Sequence, residues 1–237
     1  MFKSIIRGLL LLYGLNVCIG SLYAYAGINV DRTIINFPAD QAPRQDVIVS
    51  NQGDETAYVK VEVLEVINPG QENEERRPLT NLEQITFVAS PAKLVIPAKG
   101  RKQVRLVNLA APDGEKVYRI NFTPVAPPLA ATEGMGVRIL VAYQVLALIH
   151  PAKPLEDLDI SLQGKQLIIR NNGNSYALIT NIRQCDNQGE NCKDDIGGKR
   201  LYAGNTHRFQ LPFENNAVSF RLTNFKGARN ETVNAKR

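Results

Sequence analysis

The sequence predicts an all-β chain made of two sandwich domains, and three observations carry that reading. Short alternating or β-branched segments recur at regular spacing between Asn, Asp, Gly and Pro turn residues, the mark of a β-sandwich. The stretch His150-Pro-Ala-Lys-Pro154 is a proline-stiffened linker with strand-like segments on both sides of it. Residues 136–151, GVRILVAYQVLALIHP, carry one charged side chain and run well beyond the mean strand of about 5–6 residues.

The chain opens on a segment read as a cleaved signal peptide over residues 1–26. Lys3 and Arg7 precede an apolar run at 9–19, followed by Ala24-Tyr25-Ala26, an A-x-A cleavage site. That run is shorter than the roughly 20 residues a membrane span needs, and no later segment approaches that length, so membrane insertion is not expected. The remainder suffices for two domains of about 100 residues each. Net charge is +5, from 28 basic and 23 acidic residues, and two of the basic ones leave with the signal segment. Such a mild balance gives no argument for nucleic acid.

In the first domain, taken as 27–150, strands are expected at 28–37, 46–50, 57–67, 85–90, 93–96, 103–109 and 117–125. An acidic loop at 71–75 follows the turn Asn68-Pro-Gly70. The proline-rich stretch 124–136 cannot be a central strand, because proline removes ladder donors, so it reads as a long loop. The run after it reads as one unusually long strand. Val137, Ile139, Val141, Tyr143 and Val145 share one parity while Arg138 and Gln144 sit on the other, so one face is wholly apolar. Residues 140–149 alone also fit a buried helical segment, since periodicity in short apolar runs is ambiguous. An antiparallel hairpin across the loop would set Val117–Arg119 beside Leu146–His150, with Tyr118, Ile120 and Phe122 in the core and Arg119 facing away.

The second domain, taken as 151–237, has expected strands at 157–162, 166–170, 177–182, 206–211 and 217–223, with its sharpest turn at Asn171-Asn-Gly-Asn174. Lys226, Arg229, Lys236 and Arg237 make its tail basic, read as a solvated, frayed terminus. Of three cysteines, Cys18 leaves with the signal segment. Cys185 and Cys192, close together in a polar loop, suit a local disulfide in an oxidising compartment. The two histidines, His150 and His207, give no zinc spacing with them, so neither metal nor cofactor is expected. G-x-S-x-G, P-loop, dinucleotide and H-E-x-x-H motifs are lacking, which disfavours an enzyme and leaves no catalytic residue to name.

Several motifs together carry a resemblance: Asn29-Val-Asp-Arg-Thr33 in the opening strand, Pro91-Ala-Lys-Leu-Val-Ile-Pro97 before Gly100 and Val104-Arg-Leu106, then Val117-Tyr-Arg-Ile120. In these the chain resembles the periplasmic pilus chaperones of the chaperone and usher pathway, and the Tyr118-Arg119 pair and cysteine loop look closer to the CFA/I-type branch. The resemblance implies two immunoglobulin-like sandwiches in an L or boomerang arrangement. It also implies a periplasmic location, pilin subunits as clients and an outer-membrane usher as recipient. Val137, Ile139, Val141 and Tyr143 would be the side chains lent to a pilin that lacks a strand. The P-pilus type holds the pilin's terminal carboxylate with a second arginine and a lysine at positions that here are Ile34 and Leu146. The anchor must therefore be rebuilt, with Arg119 the first candidate and Arg32 the second. His150 matches an arginine at the domain junction and is expected to pack or hydrogen-bond there. The rival readings are a two-domain adhesion module and a fimbrial structural or adhesin subunit. Whether the free chain self-associates to cap its own strand is left open.

Overall fold

A computed structural model of the chain describes residues 27–79, 85–125 and 139–234. The expected signal segment and Val137 lie outside these residues.

Two sheets form the first sandwich. One has the order β1-β3-β8-β6, from β1 (Ile28–Val30), β3 (Arg44–Asn51), β8 (Arg101–Asn108) and β6 (Phe87–Ser90). The other runs β2-β10-β9-β4-β5, from β2 (Ile34–Phe37), β10 (Tyr143–Ile149), β9 (Lys116–Val125), β4 (Ala57–Ile67) and β5 (Glu75–Pro78), with β7 (Lys93–Ile96) also on β4. Alternation decides what each strand buries. Tyr118, Ile120 and Phe122 of β9 face inward with Val145, Ala147 and Ile149 of β10, as the periodicity predicts. Phe87 stacks on Tyr118 with ring centroids 4.7 Å apart, and the Tyr118 hydroxyl meets Thr86 Oγ1 at 2.7 Å, so the polar atom of this buried ring is satisfied.

The second sandwich pairs β11 (Leu158–Gln163), β12 (Gln166–Asn171) and β16 (Thr206–Gln210) against a sheet of order β14-β13-β17-β18. Those strands are β14 (Cys192–Lys193), β13 (Ala177–Cys185), β17 (Val218–Asn224) and β18 (Gly227–Val233), with β15 (Lys199–Leu201) also on β13. Leu167, Ile169, Ile179, Phe220 and Leu222 fill its core. Cys185 and Cys192 are bonded to each other across the β13–β14 pair. A third apolar cluster joins the two sandwiches, with Val66, Val117, Leu146 and Leu148 from the first and Tyr176, Tyr202 and Leu178 from the second.

Three expectations are corrected. The strand expected at 28–37 is two strands on opposite sheets, because the chain breaks at Asp31, whose carboxylate accepts the Ile48 N–H at 2.9 Å. Of the strand expected over 136–151, the described residues 139–151 are regular only from Tyr143 to Ile149. Continuing its register on β9 would set Val141 against Pro124, which has no N–H to donate. The basic tail is not frayed through Val233. It turns at Gly227, whose φ of 104° a side chain would resist, and pairs along β17, while Arg229 grips Glu156 through Nη1 and Nη2 at 3.0 and 2.6 Å.

Both sandwiches carry the same asparagine staple. Asn51 Oδ1 accepts the Gly53 N–H at 2.9 Å while its amide donates to the carbonyls of Glu55 (2.7 Å) and Ile96 (3.0 Å). Asn171 Oδ1 accepts the Gly173 N–H at 3.0 Å while its amide donates to Ser175 (2.8 Å) and Leu201 (3.0 Å). Each buried amide thus ties the end of one strand to the turn after it and to a distant strand. Replacing either with alanine leaves carbonyls unpaired, and we expect Asn51→Ala and Asn171→Ala each to cost about 2–3 kcal/mol. Chemical denaturation should read this as a lower midpoint with an unchanged slope.

Candidate functional site

The site is built on β10 and on the edges that its neighbours leave open. Antiparallel β9 pairs along its whole length, from Tyr143 against Phe122 to Ile149 against Lys116. On the other edge β2 runs parallel and begins only at Leu146, which meets Ile34. The Leu146 N–H donates to Thr33 at 2.8 Å, and this bond marks where the second edge closes. Before it, Tyr143 to Val145 have one edge with no partner strand among the described residues, and residues 139–142 lie outside any strand. The apolar parity does not stop where pairing stops. Val145, Ala147 and Ile149 are buried, Tyr143 packs partly against the same core, and Val141 and Ile139 continue the row at 36 % and 73 % exposure. Leu140, on the other parity, is exposed as well. A core row that runs out into water, on a backbone with open edges, is a surface that can complete another protein's sheet.

The junction with the second sandwich lies at the closed end of that row, where Leu146 and Leu148 join Tyr176 and Tyr202 in one apolar cluster. Arg119 stands opposite Leu146 on β9, on the face away from the core. It is half-buried, and it forms no hydrogen bond or ion pair among the described residues; its Nε is shut off from solvent without a partner. Arg32, the other expected anchor, is exposed and pairs with its neighbour Asp31 at 3.1 Å. His150 is buried, its Nε2 3.4 Å from Asn36 Oδ1 and its ring 5.7 Å from that of Tyr176, so it packs across the junction as expected. Burial, and secondarily the charge of Arg200, hold its pKa below the usual imidazole value.

The junction also contains residues that the sequence did not single out. Arg200 of β15 lies with its guanidinium carbon 4.5 Å from the centre of the Tyr176 ring, and its Nη1 is buried without a partner. Burial raises the pKa of the Tyr202 hydroxyl against the pull of Arg200 and then of Arg119, so both cations act on one group. Glu115 holds the junction: its Oε2 accepts the Ser175 hydroxyl at 3.1 Å and the Tyr176 N–H at 3.2 Å, while its Oε1 is buried and unpaired. Asn174 bridges the same seam, accepting the Leu155 N–H at 2.6 Å and donating to Asp113 and Lys153 at 3.0 Å each. A polar residue in a short strand or turn carries no sign in sequence of which domain it will meet.

Comparison with known proteins agrees with this architecture. Residues 27–154 match the family described as pili and flagellar-assembly chaperone, PapD N-terminal domain. The chain is 30 % identical over 167 residues to a CFA/I fimbrial subunit of Escherichia coli, spanning 66 % of this chain and 69 % of that one. Among solved structures it is similar to a chain of the chaperone–tip adhesin complex of CFA/I fimbriae biogenesis, with 25 % identity and a TM-score of 0.64 over 87 % of this chain and 98 % of that one. It is also similar to the class 5 fimbriae chaperone CfaA, with 24 % identity and a TM-score of 0.65 over 86 % and 98 % of the two chains.

Glu115 makes the junction sensitive to pH. Burial pushes its pKa up from 4.5 to about 7, against the hydrogen bonds from Tyr176 and Ser175 and the charge of Arg200. The folded state therefore keeps a proton that the unfolded chain releases. The stabilisation from that proton is complete below about 4.5, is lost as pH rises through 7, and does not change further above it. Glu115→Gln should remove this contribution. The stability of the wild type relative to the variant, followed by thermal melts, should fall between those two pH values, while a flat difference would show that Glu115 ionises normally.

Proposed function

The chain belongs to the pili and flagellar-assembly chaperone family, and from that membership we propose that it captures fimbrial subunits by lending them the start of β10 as a missing strand. The chaperone–tip adhesin complex among its similar structures supports the choice of client. The observation that carries the reading is the row from Val145 through Tyr143 and Val141 to Ile139, which leaves the core and enters solvent while, among the described residues, the edge away from β9 has no partner strand before Leu146. A pilin short of one strand exposes an apolar groove and unpaired N–H and C=O groups, and strand addition between chaperone and pilin is an established answer to both needs. In this reading Ile139 and Val141, with Val137 before them, fill the groove, and Tyr143 is shared with the chaperone's own core.

The edge geometry also supports a terminus-binding role for the junction. Because β2 closes the edge at Leu146, a strand added beside β10 must end there, at the level of Arg119. A strand running parallel to β10, as β2 does, ends on its C-terminal carboxylate. Arg119 has a guanidinium that is unengaged among the described residues to receive it, whereas Arg32 is committed to Asp31. Delivery to an outer-membrane usher, export to the periplasm with removal of residues 1–26, and domains of 27–150 and 151–237 complete the proposal. The relative that is a fimbrial subunit gives a second reading, that this chain is itself a structural component of the fimbria. Purification decides between the two: a chaperone leaves the periplasm in a stoichiometric complex with a smaller pilin, and a structural component is found in surface polymer.

Ile139→Asp should weaken pilin capture by roughly 100-fold or more, since it buries an unpaired charge in the groove, while the melting temperature of the free chain stays unchanged. Normal recovery of the complex with that variant would exclude the donor assignment. Arg119→Ala should lose about 1.5–3 kcal/mol, or roughly one to two orders of magnitude in affinity, with lysine rescuing in part for want of a bidentate fork. Titration of the variants against the purified pilin measures both, and normal binding by Arg119→Ala beside loss in Arg32→Ala would transfer the anchor to Arg32.

A further inference from the structure

We propose that Arg200 of the second sandwich is the other arm of the carboxylate site, closing on the bound terminus across the junction from Arg119. The inference rests on the capture reading above and adds to it a contact from the second domain. Among the described residues, the remaining arginines are exposed or engaged in an ion pair. Arg119 and Arg200 alone are partly buried with neither hydrogen bond nor ion pair, and each has one guanidinium nitrogen sealed from solvent. Unpaired cations in a partly desolvated junction are costly, and an arriving anion removes that cost.

Their placement points to a single shared ligand. Arg119 flanks Leu146 across the β9–β10 ladder, and Arg200 flanks Leu178 across the β13–β15 ladder. Leu146 and Leu178 belong to the same apolar cluster, with Tyr176 and Tyr202. The two guanidinium groups thus border one apolar floor from two domains, and both oppose the burial that raises the pKa of the Tyr202 hydroxyl. Glu115 is within electrostatic reach of Arg200 but forms no ion pair with it; its carboxylate is turned to Ser175 and Tyr176. Arg200 lies over the Tyr176 ring with its guanidinium carbon 4.5 Å from the ring centre, and a guanidinium suits a planar, bidentate partner. The ligand class that fits is a chain-terminal carboxylate next to apolar side chains.

The test uses the full chain and two probes, N-acetyl-valyl-valine with a free carboxylate and the same dipeptide as its C-terminal amide. Arginine Nε–Hε resonances are followed by NMR at pH 6 and constant ionic strength, assigned through Arg119→Lys and Arg200→Lys. The acid should shift both resonances along one isotherm while the amide shifts neither. Arg200→Gln should weaken the isotherm read at Arg119 about tenfold, Arg200→Lys should weaken it less, and neither should change the melting temperature. Shifts at Arg119 without Arg200 would overturn this inference and leave the anchor reading standing. Shifts at neither residue, or equal shifts with the amide, would overturn both.

Discussion

Backbone pairing along β10 is the constraint on which the rest of the architecture depends. Among the described residues, the strand has a partner on both edges only from Leu146 to Ile149, on one edge from Tyr143 to Val145, and before that no strand pairing. Buried peptide groups must be hydrogen-bonded, so the fully paired part is where the core can close over Ala147 and Ile149. Among the described residues, the same apolar parity outside the paired part has no strand beside it, and Val141 and Ile139 stand exposed. The sandwich and the proposed donor surface are one strand in two states of pairing, and the register of β2 sets the boundary between them.

The junction repeats this pattern with charge in place of backbone. Apolar contact between Val117, Leu146 and Leu148 on one side and Tyr176 and Tyr202 on the other joins the sandwiches. Around that contact lie, among the described residues, a carboxyl group with one unpaired oxygen, on Glu115, and two guanidinium groups without hydrogen bond or ion pair, on Arg119 and Arg200. A chain selected only for stability would neutralise these groups by direct pairing. Their separation is a local cost that the proposed carboxylate ligand would relieve, and the hydrogen-bonded seam at Asn174 ties the two domains together.

Stability is drawn from a device used twice. Asn51 and Asn171 occupy equivalent places, each at the end of a strand before an N-x-G turn, and each binds the glycine two residues on and a carbonyl of a remote strand. The second sandwich adds the Cys185–Cys192 bond and the Glu156–Arg229 grip, both close to strand ends where a small domain has the fewest apolar contacts.

The amino-acid sequence by itself determined the all-β class, the inward row Tyr118, Ile120 and Phe122, the β9–β10 hairpin and its register, and the pairing of Cys185 with Cys192. All of these follow from alternation, turn chemistry or proximity along the chain, which are local. Where β10 stops being a strand was decided by Pro124 opposite it and by the point at which β2 arrives, and β2 itself exists only because Asp31 redirects the chain to another sheet. The basic tail became β18 because β17 offers an edge and Glu156 a partner for Arg229. Arg200 shows the limit most plainly: in Gly198-Lys-Arg-Leu-Tyr202 it reads as one more surface cation, and only the packing of the second sandwich against the first brings it to the same junction as Arg119. Side-chain periodicity is encoded along the chain, but desolvation and the sharing of a ligand depend on neighbours that only the tertiary fold supplies.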